Sequence, residues 1–454
     1  MSRFINLSRY NEIGANSYYV EDQGYGFLLD AGMHPKHDGY AATPDLARID
    51  QEPLSGIFLS HAHHDHTGAI PLAQERHPEV PVFMSEPTTF LADPLLHNSV
   101  NVMKRQRVER GIRECPLYTH SMVQAHTRRW HACHLNQWWS LDGHPLSSPK
   151  KESHRFRLHH AGHILGSVAV ECQIGKQRLL YTGDINFNDQ TIIKKAHLPT
   201  EEIDILVIET TRGAQSSKSG YSRSDEENRL LHDIRATFER GGAVLMPIFA
   251  MGKTQELLTF LHQLRNRGEI PDNPLFIGGL GKVFSQVYDR WAQQKISIFE
   301  DIRPQVLDWK ELDRFKPKAG HLYLLPSGMM TEMTTSNRLA RSFLSDPRHS
   351  ILFVGYTDPD SPAGRLRKTE DGQSVTLNTH DGPQRVRCTI NHYDFTSHAQ
   401  REDLVRFISE VNPRICFLVH GDRPALDWFQ NELTTSCPRI RTIIPEPGIE
   451  YSLN

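Results

Sequence analysis

Short apolar runs that end abruptly in polar residues dominate the first 210 positions. Tyr18-Tyr19-Val20 and Phe27-Leu28-Leu29, separated by a glycine-containing turn, predict a hairpin; Ile57–Leu59, Val168–Val170, Leu179–Tyr181 and Ile205–Ile208 predict further strands. From Ser224 the period changes. Ser224 and Glu227 have capping-box spacing ahead of Leu230, Leu231, Ile234 and Phe238, and Gly241-Gly242 closes the predicted helix. A strand at Ala243–Ile248, a helix carrying Leu257, Leu258, Leu261 and Leu264, a strand at Pro274–Ile277 and a helix near Lys282–Trp291 follow, the alternation of an α/β layer. Beyond about 390 a helix at Arg401–Val411 leads to a strand at Ile415–Val419 that ends in His420-Gly421-Asp422. The expectation is a strand-rich domain over 1–210, an inserted α/β domain over 211–390, and a return to the first domain over 391–454.

Composition narrows the class. At 454 residues the chain has ample material for two or three buried cores, and no repeat or low-complexity tract interrupts it. No run approaches the length of a spanning helix and the N-terminus lacks a signal-like apolar segment, so a cytoplasmic protein without a membrane partner is expected. The net charge of −3 gives no global pull toward an anionic partner. Six cysteines without a CxxC pair read as free or buried thiols and not as zinc ligands. The 26 histidines are the outlying count, and imidazole is the commonest side chain on transition metals.

The histidines concentrate where the chemistry would be. The segment Ser60-His61-Ala62-His63-His64-Asp65-His66 follows an apolar strand directly. Residues two apart on an extended segment project to the same side, so His61 and His63 can close on one ion while Asp65 and His66 face a second. A solvated polar loop is the bland alternative. Four other predicted strand ends carry His163, Asp184, Glu209 and His420, and neighbouring strands ending at one sheet rim would bring these together.

These motifs resemble the metallo-β-lactamase fold. Asp30 in Leu28-Leu29-Asp30-Ala31-Gly32 is similar to its first motif, His61 through His66 to its second, His163 to its third and Asp184 to its fourth. The resemblance implies an αββα sandwich in which His61, His63 and His163 hold one zinc, Asp65, His66 and His420 hold another, and Asp184 bridges them, with Asp30 orienting the site. Glu209-Thr210-Thr211-Arg212, Met246-Pro247 through Lys253-Thr254-Gln255-Glu256-Leu257, Ser327-Gly328-Met329-Met330, Asp394-Phe395-Thr396-Ser397-His398 and Leu418-Val419-His420-Gly421 resemble the landmarks of the β-CASP nucleases, whose α/β domain would be the insertion. Leu325-Pro326-Ser327 and Gln400-Arg401 depart from the commoner family pattern. The chain most resembles short bacterial relatives of the cleavage and polyadenylation endonuclease, without the extra C-terminal domain of ribonuclease J or an N-terminal KH segment.

That resemblance implies a two-zinc ribonuclease acting on single-stranded RNA, with manganese compatible with the same donors and His420 favouring RNA over DNA. His398 would be the general acid, tuned by Glu209, and Asp65 and Asp30 complete the catalytic set. The products would carry 5′-phosphate and 3′-hydroxyl ends. Seven basic residues between Lys104 and Arg129, against Glu109 and Glu114, could follow a phosphate backbone from a cleft between the domains, with Arg128 and Arg129 foremost and Tyr118 and Trp130 stacking on bases. Lys253, Ser327 and Ser397 are further candidates for substrate contact. The competing readings are a DNA nuclease or ester hydrolase on the same metals, and a silent RNA-binding subunit. A homodimer is compatible with the sequence; cleavage mode and target RNA stay open.

Overall fold

The computed structural model describes residues 2–148, 153–216, 221–291, 297–307 and 315–454. The chain forms two units, one of Met1–Asp189, Ile193–Ser217 and His398–Asn454, the other of Gln190–Ile192 and Lys218–Ser397. The divides fall after Ser217 and Ser397 instead of the expected 210 and 390. Thr210 stays with the first unit because its Oγ1 donates to the carbonyl of Val419, 3.0 Å away. Residues 391–393 belong to the second unit because they continue its edge strand, Thr389–Tyr393.

Among the described residues the first unit contains two seven-stranded sheets. In one, Glu450–Ser452, Arg3–Asn6, Tyr18–Asp22 and Tyr25–Leu29 run antiparallel, and Gly56–Phe58, Val82–Ser85 and Trp130–Cys133 continue in parallel. In the other, Trp138–Ser140, His154–His160, Val168–Ile174 and Gln177–Tyr181 are antiparallel, followed in parallel by Ile205–Glu209, Ile415–Val419 and Arg441–Ile443. Alternate residues of both sheets, among them Phe27, Leu29, Phe58, Phe156, Val170, Val207 and Phe417, meet in one buried core. The opposite set of the second sheet, Leu180, Leu206, Ile208 and Leu418, packs against Leu404, Phe407 and Ile408 of helix Arg401–Val411 and Leu426, Phe429 and Leu433 of helix Arg423–Ser436. Burial on both faces explains why these strands read as unbroken apolar runs and not as alternation. Helix Glu86–Glu109 covers strands Val82–Ser85 and Trp130–Cys133, completing the expected αββα layering.

Among the described residues the second unit is built on six parallel strands in the order Gln305–Val306, Leu275–Ile277, Leu322–Leu325, Val244–Pro247, Ser350–Val354, Thr389–Tyr393. Parallel neighbours require crossovers, and helices Lys253–Asn266 and Thr335–Phe343 supply two of them. Its first helix starts at Arg223, one residue earlier than the expected cap at Ser224. Ser222 takes that role, since its backbone is extended and its hydroxyl accepts the amide hydrogen of Asp225.

Candidate metal centre

Strand register brings the candidate residues together. In the second sheet Tyr181 pairs with Val207 and Glu209 with Val419, so Asp184, Glu209 and His420 leave three adjacent parallel strands at the same end. In the first sheet Leu29 pairs with Phe58, which sets Asp30 beside the start of the Ser60–His66 segment. Two of these exits have left-handed backbone at a non-glycine residue, Asp30 with φ 59° and His420 with φ 51°. Such conformations cost about 1–3 kcal/mol and persist where the surroundings fix them. Gly183, at φ 53°, is the hinge before Asp184; a Cβ there would lie 2.7 Å from the Cβ of Ser60.

His61, His63, His163 and Asp184 present one donor atom each within 4.8 Å of one another, and Asp65, His66 and His420 do the same. The Nε2 atoms of His61 and His163 lie 3.2 and 3.0 Å from Nδ1 of His63. Both are 3.5 Å from Oδ2 of Asp184. The other oxygen, Oδ1, is 3.4 Å from His66 Nε2 and 3.1 Å from His420 Nδ1. Asp65 Oδ2 completes the second group, 3.3 Å from His420 Nε2 and 3.9 Å from His66 Nε2. One carboxylate thus faces both groups, an oxygen to each.

Positioning contacts sit behind these donors. The carboxylate of Asp30 accepts the Ser60 amide and hydroxyl, both at 2.7 Å, and the Tyr181 hydroxyl at 2.6 Å. It lies 2.6 Å from His66 Nδ1, which assigns the proton to that nitrogen and turns Nε2 toward Asp65 and Asp184. Asn16 Nδ2 lies 3.1 Å from the same Nε2, and Thr211 Oγ1 lies 3.0 Å from His420 Nδ1. Glu209 Oε1 accepts the Ile185 amide at 2.7 Å, and its Oε2 lies 3.0 Å from His398 Nδ1. His398 Nε2 then faces Asp184 Oδ2, 4.0 Å away.

Electrostatics favour a cation here. Burial, reinforced by neighbouring imidazoles, holds the His61 pKa well below its ordinary value, and burial also lowers that of His63, so both present lone pairs. Burial would raise the Asp184 pKa, but His420, His66, His398 and His61 outweigh it and keep the carboxylate ionised. Around His66 burial is likewise outweighed, by Asp184, Asp30 and Asp65, and its pKa stands well above the ordinary value. Three carboxylates round one imidazole are an excess of negative charge that a divalent cation would balance. Asp184 Oδ1 is buried and takes part in no hydrogen bond, and the one donor or acceptor position of His63 Nδ1 cannot serve both the His61 and the His163 nitrogen that face it. These nitrogen and oxygen donors suit zinc, with no cysteine contributing.

The remaining candidates are placed differently. His64, inside the histidine-rich segment, turns its Nε2 to Ser99 of helix Glu86–Glu109, 2.9 Å away, and is not among the converging donors. Arg128 and Arg129 are exposed, with Arg129 3.4 Å from Glu79. Tyr118 is buried at 1% exposure, so it has no free face for a base; Trp130 is partly buried and donates to Gln74 at 3.0 Å. Lys253 is buried and bonded within the second unit, where a phosphate contact had been expected. Ser327 and Ser397 are partly buried in that unit. A group not anticipated from sequence, Glu12, His34 and His37, also clusters. His34 Nδ1 accepts the Lys36 amide at 3.1 Å, so its neutral ring carries hydrogen on Nε2, toward Glu12, and offers no lone pair there.

The chain is also similar to known proteins in sequence and fold. The metallo-β-lactamase superfamily profile matches residues 10–115, and the β-CASP domain profile matches 254–366. The chain carries both domains. A third profile, the Zn-dependent metallo-hydrolase RNA specificity domain, matches 383–445, which includes His398 and His420. "Endoribonuclease ysh1" of Schizosaccharomyces pombe is 28% identical over 443 residues, covering 95% of this chain and 56% of that one. The chain therefore spans about half the length of such fungal relatives. The "RNase J-like protein" of Methanocaldococcus jannaschii is 26% identical over 448 residues, covering 96% of this chain and 97% of that one. A crystal structure of a protein of unknown function from Enterococcus faecalis V583 shares the fold, with TM-score 0.58, 15% identity, and 99% and 100% of the two chains covered. Among the described residues no helix is long and apolar enough to cross a membrane.

Proposed function

We propose that this metallo-β-lactamase/β-CASP chain is a two-zinc ribonuclease that hydrolyses phosphodiester bonds of single-stranded RNA. The observation that carries the reading is the single buried carboxylate of Asp184, with one oxygen facing His61, His63 and His163, the other facing His66 and His420, and His398 close by. His61, His63 and His163 would hold one ion, Asp65, His66 and His420 the other, with Asp184 shared and Asp30 fixing the His66 ring. Bound there, two zinc ions would lower the pKa of the attacking water and offset the charge of the scissile phosphate.

His398 does the rest of the proton work. Glu209 holds its Nδ1 proton, which leaves Nε2 to face the site. Burial lowers the imidazole pKa, but Glu209 and Asp184 outweigh it, so the ring is held above its ordinary value, which favours its acid form. As the phosphorus–oxygen bond breaks, the Nε2 proton passes to the departing 3′ oxygen, leaving 3′-hydroxyl and 5′-phosphate ends. The match to an RNA specificity domain and the endoribonuclease relatives support RNA as substrate.

The test uses zinc-loaded protein with end-labelled single-stranded RNA and the DNA of identical sequence. Preferential RNA cleavage giving 5′-phosphate ends is expected, with His398→Ala lowering kcat by about 100-fold or more while keeping its zinc. Preferential DNA cleavage, or zinc loss in His398→Ala equal to that in Asp184→Asn, would contradict the assignment.

A further inference from the structure

The segment leading into His398 is fixed by a buried ion cluster in the β-CASP unit. Lys253, the first residue of helix Lys253–Asn266, is buried, and its ammonium donates to Glu256 Oε2 at 2.5 Å and to the main-chain carbonyl of Phe395 at 2.6 Å. Glu256 is also buried, and its other oxygen accepts from the Arg223 guanidinium at 2.7 Å. That guanidinium lies 3.9 Å over the ring of Phe395, whose edge meets Phe260 with centroids 5.9 Å apart. One residue earlier, the Asp394 amide donates to Glu226 at 2.9 Å and its carbonyl accepts the Tyr221 hydroxyl at 2.8 Å. Two consecutive residues are thus held by both backbone and ring. On the far side of His398, the Ala399 amide donates to the Ile185 carbonyl at 2.7 Å. His398 follows the held Phe395 by three residues.

We infer that Lys253 is a positioning residue for His398, acting through the Phe395 carbonyl three residues before it, with Glu256 and Arg223 holding the ammonium and the ring in place. A lysine is suited to the task because a charge-assisted bond to a carbonyl is stronger than a neutral one, and the Glu256 carboxylate balances the buried charge. Burial lowers the Lys253 pKa, but Glu256 opposes that and favours the ammonium form. Generic fold support would need no such bond to this one carbonyl. The inference rests on the proposed role of His398.

The experiment compares two substrates that differ in their need for an acid. RNA expels a 3′ alkoxide and needs a proton, whereas bis(p-nitrophenyl) phosphate expels a phenolate that leaves without one. On zinc-loaded full-length protein, Lys253→Met is expected to lower kcat on RNA by about 10- to 100-fold, with KM and zinc content close to wild type. Hydrolysis of the p-nitrophenyl diester should fall by no more than about threefold, as it should for His398→Ala, and Lys253→Arg should recover most RNA cleavage. Glu256→Gln, which loosens the same ammonium without removing it, should show the same split and serves if Lys253→Met does not fold. Parallel loss on both substrates, or RNA cleavage by Lys253→Met at the wild-type rate while His398→Ala is impaired, overturns the inference and leaves the ribonuclease reading intact. Full RNA cleavage by His398→Ala would overturn that reading and this inference with it.

Discussion

In the proposed metal centre Asp184 is the shared carboxylate, and Asp30 is the residue that fixes the ring of His66. Without the Asp30 carboxylate, His66 loses the partner that fixes its tautomer and the strand end loses three accepted hydrogen bonds. Asp30→Ala is therefore expected to weaken zinc binding by about 10- to 100-fold, read by titration against a chelator of known affinity. His64→Ala should leave zinc stoichiometry unchanged, because that ring bonds to Ser99 and not to the converging donors; loss of an ion in this variant would show that the histidine-rich segment is used differently. At this scale the sequence was informative where spacing is local. His61 to His66 could be read because residues two apart on an extended segment share a side. Asn16, Ser60, Tyr181 and Thr211 could not, since each reaches the site only through the pairing of strands distant in sequence. Lys253 reads from sequence as a loop residue open to substrate, whereas it begins helix Lys253–Asn266 and is buried with its ammonium on the Phe395 carbonyl, a placement that depends on packing.

Strands and helices carry the next level. The apolar runs located the central strands well because strands covered on both faces have no polar register to confuse them. Helix Arg401–Val411 and strand Ile415–Val419 appear with the expected bounds. Edge elements were less readable, as Trp138–Ser140 and Glu450–Ser452 carry little apolar pattern of their own and are strands by virtue of their neighbours. Two outcomes belong here. Gly183→Ala forces a Cβ against Ser60 from a left-handed backbone and should destabilise the protein by about 1–3 kcal/mol, seen in denaturant unfolding, while displacing Asp184 enough to reduce zinc binding. On strand Val168–Ile174, Glu171 is surrounded by His159, Arg178 and Arg157; burial would raise its pKa, but these partners outweigh it and hold it at about 2 against an ordinary 4.5. A carboxylate lowered on folding contributes stability above its unfolded pKa and loses it as pH falls toward its folded one. Stability should thus decline between about pH 4.5 and 2 more steeply in the wild type than in Glu171→Gln; equal slopes would remove this residue from the acid response.

At the scale of the molecule, the chain is an αββα unit that carries the proposed metal donors and a parallel α/β unit inserted between two of its strands. The insertion shows in the sequence as a change of hydrophobic period from Ser224 and a return of strand-like runs after about 390; the divides fall after 217 and 397, a few residues beyond the expected 210 and 390. The proposed ligand set is drawn from positions 61 to 420, so the donors converge only when the C-terminal strand has paired with Ile205–Glu209. The most direct test is native mass spectrometry of zinc-reconstituted protein. Two zinc ions per chain are expected in the wild type, one in His163→Ala, one in His420→Ala, and none retained in Asp184→Ala. Two ions persisting in Asp184→Ala, or a wild type that takes up fewer than two, would contradict the claim that a single carboxylate joins two metal positions.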